Sequence, residues 1–252
     1  MVPASRKYLF LALFAVTLPT AVWSQTAQDN AQILSERRFP TTFAAPSAIP
    51  ALGGTGFVGL TYADPRQGVS GNDPDGDFIV GYTIGNPVEN VSLTFGLAIT
   101  GLDPFGEDGS FSISAARLLG VSEAFVGATA SNIFAFGDAD DADESYSVYV
   151  SHLTGIPSSV GEFPVQLTVG YGNEVTRDDD GSGTVDDGFF YAAGIGLTRD
   201  ISASFSGTET QFNVGLGLTV PNIPRLNVQL GILDVTDNTN RQQFALSVVY
   251  TF

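Results

Sequence analysis

The sequence predicts an all-β fold, an antiparallel up-and-down β-barrel of about twelve strands that crosses a membrane. Three observations predict it. Large apolar side chains alternate with small or polar ones through most of residues 54–252, and a period of two sorts them onto opposite faces of a strand. The face opposite the apolar one holds Gly, Ser, Thr, Asn and Gln with hardly a charge, whereas a soluble sandwich usually turns charged residues outward. Acidic residues gather in every second connection, so the two ends of the strand array differ.

The front of the chain is not part of the array. Arg6 and Lys7 precede the apolar run Tyr8 to Leu18, and Ala21-Val22-Trp23-Ser24 follows. A basic start, a short apolar core and a small residue before the cut read as a secretory signal peptide over residues 1–24. The 11 residues of that run fall short of the roughly 18 that a membrane-spanning helix needs. Its removal leaves eight Arg and no Lys against 27 acidic residues, a net charge of −19. Such a balance argues against nucleic-acid binding, which needs a basic face. With no Cys in the chain, disulfides and an amino-terminal lipidated Cys are both excluded. No later run is long and apolar enough for a transmembrane helix. Residues 25–53 are polar at first and then punctuated by Pro40, Pro46 and Pro50. They show no strand period, and read as a leader or as a partial plug folded into the barrel.

Twelve strands follow, over residues 54–63, 76–84, 89–101, 110–118, 123–135, 145–154, 164–173, 188–198, 201–206, 211–220, 226–234 and 242–252. About 17 residues per strand and connection suits strands of roughly 9–11 residues tilted across a bilayer. The clearest are Val91 to Thr100, where Leu93, Phe95, Leu97 and Ile99 alternate with Thr94, Gly96 and Ala98, and Phe212 to Thr219, where Val214, Leu216 and Leu218 alternate with Gly215 and Gly217. The ribbon 201–206 carries the weakest signal, and without it ten or eleven strands would remain.

In the last strand Phe244, Leu246, Val248, Tyr250 and Phe252 share one face. A strand ending the chain on Phe, with an aromatic two places earlier, resembles the closing strand of bacterial outer-membrane β-barrels. The resemblance implies an outer-membrane location, contact with outer-membrane lipid and lipopolysaccharide, and recognition of Tyr250 and Phe252 by the barrel-assembly machinery. It also places Phe252 at the inner, periplasmic end. Counting back from there, the inner turns are short and rich in Pro and Gly: Gly85-Asn86-Pro87, Leu119 to Ser122, Gly155 to Phe163, Thr198 to Asp200 and Pro221 to Arg225. The outer loops 64–77, 102–110, 136–144, 174–187, 207–210 and 234–241 hold 21 of the 27 acidic residues. Short inner turns with longer outer loops are the asymmetry expected of such barrels. Tyr62, Tyr82, Tyr146, Tyr171, Tyr250 and Phe252 fall near strand ends, where aromatic belts sit.

Several residues are candidates for function. Gln166, Thr168, Asn213, Thr219, Asn227 and Gln229 lie on the polar face and are expected to line the lumen. Asp178-Asp179-Asp180-Gly181-Ser182-Gly183-Thr184-Val185-Asp186 resembles the first nine positions of an EF-hand loop. That implies calcium ligands at Asp178, Asp180, Ser182, the Thr184 carbonyl and Asp186. Phe189 stands where the bidentate Glu belongs and strands flank the loop, so the expectation is a weakly bound Ca2+, with a solvated acidic loop as the alternative.

In strand number and size the chain also resembles outer-membrane phospholipase A, whose chemistry needs a His paired with a Ser and an orienting group. The only His is His152, with Thr154 two residues on, and no orienter stands at a matching spacing, so no enzyme is expected. Arginine-lined oligosaccharide porins find a match only in Arg117 and Arg199. Ala51-Leu52-Gly53-Gly54 followed by Tyr62-Ala63-Asp64-Pro65 resembles the start of long-chain fatty-acid transporters, which are much longer chains. The function expected is a porin-like channel for passive diffusion of small polar or cationic solutes. The alternative is a structural or surface-interaction barrel with a closed lumen and acidic, ion-binding loops.

Overall fold

The computed structural model describes residues 40, 42–65, 76–102, 105–120, 123–159, 161–177, 185–239 and 242–252. Twelve strands run along it: β1 (Gly56–Ala63), β2 (Asp77–Gly85), β3 (Ser92–Leu102), β4 (Phe105–Leu118), β5 (Ala124–Phe136), β6 (Ser145–Ser158), β7 (Gly161–Arg177), β8 (Val185–Gly196), β9 (Ile201–Gly207), β10 (Phe212–Thr219), β11 (Leu226–Leu233) and β12 (Gln243–Thr251). Each pairs antiparallel with its neighbours in the chain, and β1 pairs with β12 to close the barrel. Closure leaves no edge strand, so backbone groups along the shared length of the strands are paired within the sheet. The chain thus has the architecture that its alternation predicts. The segment 1–24, and residues 25–39 of the leader or plug, lie outside the described residues.

One face of the array is apolar and exposed. Leu60, Ile84, Phe95, Val148, Val169, Tyr191, Leu216, Leu230 and Phe244 all stand out from it, which in water would be costly and in lipid is not. Tyr62, Tyr82, Tyr146, Tyr171, Tyr250 and Phe252 share this face and are 38–55% exposed. Their partners put Tyr82 and Tyr250 toward the end that holds Phe252, termed the inner end, and Tyr146 and Tyr171 toward the other. The opposite face is small and hydroxylated. Thr83, Ser92, Ser151, Thr168, Ser202, Ser204 and Ser206 are buried on it.

The weakest ribbon is a true strand. In β9 Ser202, Ser204 and Ser206 face inward while Ile201 and Phe205 face out, so the period of two is complete although half of it is merely Ser. Its turns hold it at both ends. Thr198 Oγ1 accepts a hydrogen bond from Ile201 N at 3.0 Å, and Thr208 Oγ1 accepts one from Gln211 N at 3.2 Å. Such local hydroxyl bonds favour turns over continued strand.

Three strands run further than the alternation does. β4 starts at Phe105, β6 ends at Ser158 and β7 spans Gly161–Arg177, so the expected loops 102–110 and 155–163 are mostly paired. Leu102 pairs with Phe105 at one end and Ser158 with Gly161 at the other. Outside lipid both faces of a hairpin meet water, so the ladder continues where the apolar period has stopped. Bulges interrupt β4 against β5 near Phe111 and β7 against β8 between Gly172 and Thr176. Asn132, Phe134 and Glu174 have positive φ there, and the shift re-aims the strand beyond each bulge.

Candidate functional site: the lumen and the segment within it

The interior of the barrel is not uniform. Toward β4–β8 it is packed with apolar side chains: Leu118, Phe125, Tyr149, Leu153 and Phe190 form one buried cluster with Val88 from the β2–β3 turn and with Ala48. Toward β9–β12 the wall is Ser, Gly and amide. Gln166, Thr168 and Asn213 are 3–7% exposed. Thr219, Asn227 and Gln229 are half-buried on the same face, with Gln229 between Gly217 and Ser247. All six residues read as lumen candidates therefore lie on the inward face. Neighbouring candidates hydrogen-bond within the wall: Asn213 Nδ2 donates to Ser206 Oγ at 3.2 Å and Thr219 Oγ1 to Asn227 Oδ1 at 3.1 Å.

Ala48 belongs to the stretch before β1, and that stretch lies inside the barrel. Pro40 sits beside Thr198, Asp200 and Thr219 at the inner end. Phe43 then lies against Gly215 and Gly231. A Cβ built on Gly215 would stand 2.5 Å from Phe43 Cβ, and one on Gly231 would stand 2.7 Å from its Cε1. The two glycines form a notch that the ring fills, and Phe43 N donates to Ser204 Oγ at 3.2 Å. Ala44 turns the chain with φ 55. Across the lumen Ala48 N donates to Ser151 Oγ at 2.9 Å, and Gln166 Nε2 donates to Ser47 Oγ at 2.7 Å. Ser151 Oγ also pairs with Thr168 Oγ1 at 2.7 Å. The chain then returns to the inner end, where Gly54 N donates to Thr83 O at 2.8 Å and β1 begins.

None of these contacts is legible in the sequence, although Gln166 and Thr168 stand on its polar face. One signal was available. Glycine inside a strand marks a place where something approaches closely, and Gly127, Gly215 and Gly231 carry Ala48 and Phe43.

The outer end is ordered around a buried acid. Asp234, 1% exposed, accepts from Thr239 N and Thr239 Oγ1 on Oδ2 at 2.9 and 2.7 Å, and from Asn238 N on Oδ1 at 3.3 Å. Its own N donates to Asn213 Oδ1 at 2.9 Å. Of the EF-hand-like positions, Asp178, Asp180, Ser182 and Thr184 lie outside the described residues. Asp186 is exposed in β8 opposite Thr176. Among the described residues no three His, Cys, Asp or Glu come together as metal ligands would. His152 is exposed on the outer wall, level with Ala124 at the start of β5. The adjacent Ser151 points to the opposite face, toward Ala48. Tyr250 and Phe252 cap the seam: Phe252 exchanges backbone hydrogen bonds with Gly56 at 2.9 Å each way, and its ring lies over Gly56.

A closed twelve-stranded barrel with an apolar outer face and a polar lumen has the fold of bacterial outer-membrane β-barrel proteins. Among solved structures, the chain is similar to outer membrane protein Omp33 of Acinetobacter baumannii, at 8% identity and a TM-score of 0.51, over 79% of this chain and 98% of that one. It is also similar to the COG4313 outer membrane channel of Pseudomonas putida F1, with 12% identity, a TM-score of 0.47 and coverage of 83% and 100%. The NanC porin gives 10% identity, a TM-score of 0.45 and coverage of 78% and 98%. At these identities the likeness is one of fold. No protein-family model and no curated protein sequence matches the chain.

Proposed function

We propose that this barrel is a porin-like channel of the outer membrane for passive diffusion of small polar or cationic solutes, narrowed from the inner end by residues 40–53. The observation that carries the reading is the lumen wall over β9–β12. Ser, Gly, Asn and Gln side chains face inward there, and a solute crossing would meet hydrogen-bonding groups without fixed charge. The solved structures of similar fold include a channel and a porin, in keeping with passage through the lumen. Acidic loops at the outer end would raise the local concentration of cations. The inserted segment makes the open state conditional on its position, and acts as a plug rather than a free leader.

Single-channel recording in planar bilayers tests this. The chain refolded from residue 25 is expected to conduct in small, cation-preferring steps. A chain starting at Gly54 should conduct in larger ones, because nothing then spans the lumen between Ser204 and Ser151. Silence from both, in protein whose gel mobility still shifts on heating as a folded barrel's does, would overturn the channel reading in favour of a closed surface barrel.

A further inference from the structure

We infer that a cavity beside the inserted segment is a binding subsite for an uncharged polyhydroxy solute of about four carbons. The cavity measures about 230 Å³ and lies between Ile49-Pro50-Ala51 on one side and β1–β4 on the other. Against roughly 30 Å³ for one water's share of liquid volume, this space holds several waters and so admits a compact solute of about four carbons. Its lining combines two chemistries. Phe57, Ile49 and Pro50 offer an apolar surface, and Thr94, Ser114, Tyr149 and Ser47 offer hydroxyls, with the fully buried Thr83 and Ser92 behind them.

The hydroxyls are only partly spent on each other. A hydroxyl owns one hydrogen and two lone pairs. Thr83 Oγ1 and Thr94 Oγ1 share a single bond of 2.9 Å, which uses one of their two O–H groups. Ser47 Oγ accepts from Gln166 Nε2 and Ile49 N and keeps its own hydrogen to donate. Ser92 Oγ donates to Ala116 O at 3.3 Å and keeps both lone pairs. Ser114, Thr129 and Tyr149 form a chain at 2.8 and 2.6 Å with acceptor capacity left over. Among the described residues the cavity therefore presents hydrogen-bonding groups and apolar surface together, Ser47 and Ile49 from the segment and Thr94, Ser114 and Phe57 from the wall.

That mixture suits a small molecule that carries both hydroxyls and C–H groups. Among the described residues no carboxylate, ammonium or guanidinium lines the cavity, so an ion entering it would lose hydration without finding a counter-charge there. An apolar solute would leave the free O–H groups unmatched. An uncharged polyol meets both conditions. The inference rests on the channel reading for how the solute arrives, whereas its binding needs no conduction.

Saturation-transfer NMR on the refolded chain from residue 25, with erythritol as the probe, tests the subsite. Transfer to erythritol should saturate with concentration, and should be much weaker for 1,4-butanediol and for 1,4-diaminobutane. Replacing Thr83 and Thr94 by Val keeps their shape. It should weaken erythritol binding about fivefold for each hydroxyl that a solute uses. If that double variant loses heat-modifiable mobility, Ser114→Ala serves instead. Erythritol transfer that does not saturate, that survives the variants, or that 1,4-diaminobutane matches would overturn the proposal. Saturable binding in a chain that never conducts would remove the channel reading and leave the subsite. Conduction without saturable binding would do the reverse.

Discussion

The notch between Gly215 and Gly231 shows how much a single missing methyl can decide. Neither glycine turns the chain. Each leaves space that Phe43 occupies from inside the barrel, and protein interiors close-packed in this way respond to the addition of one carbon. Gly215→Val is therefore expected to push the ring out of its notch while leaving the strand pairing, which Val favours, unchanged. The folded barrel should keep its heat-modifiable mobility. Residues 40–53 should become open to protease, and the conductance should move toward that of the chain starting at Gly54. Conductance and protease resistance equal to those of the parent would show that Phe43 does not hold the segment. These contacts could not be read from the order of residues. Phe43 sits in a stretch without period, and its partners lie about 170 positions away along the chain. Glycine in a strand announces that something is near, but not what.

Elements were far more legible, since each strand carries its own alternation. Even β9, whose inward positions are all Ser, was found at 201–206 and spans Ile201–Gly207. What alternation could not reveal is where pairing stops, because outside lipid the hairpin β6–β7 loses its apolar face before it loses its ladder. Nor could it show which polar residues build a loop. The connection from β11 to β12 looks like any Asp-, Thr- and Asn-rich surface turn, yet it folds around the buried carboxylate of Asp234. Left-handed backbone, φ 47 at Asp234, is tolerated by Asp and Asn better than by other side chains. Asp234→Ala removes the acceptor of two backbone N–H groups and two hydroxyls, and should cost about 2 kcal/mol. Asp234→Asn, keeping one acceptor oxygen and the backbone preference, should cost about half as much. Guanidinium unfolding of vesicle-embedded protein, followed by Tyr fluorescence, reads both. Equal midpoints for parent and Asp234→Ala would mean that the loop stands without its acid.

At the scale of the whole molecule the balance of charge is the dominant feature. The 21 acidic residues that the sequence assigns to outer loops would act together on whatever approaches, over a distance set by salt: about 10 Å at 0.1 M and about 3 Å at 1 M. Cation preference, read from reversal potentials across a salt gradient, should be strong near 0.1 M and largely lost at 1 M. A preference that ignores salt would place selectivity in the lumen instead of at the rim. The expectation comes from the sequence alone, where charge sorts by loop without reference to any contact.

The path of residues 40–53 also has a topological meaning. Both ends of the stretch, Pro40 and Gly53, lie at the same mouth of the barrel, so it enters as a folded-back loop with no free end threaded through the wall. A loop of that kind can be drawn out or pushed in like a finger from a glove, with every strand still zipped and the seam between Gly56 and Phe252 intact. Insertion can thus follow barrel closure as readily as precede it, and the same move can be repeated over the life of the folded protein.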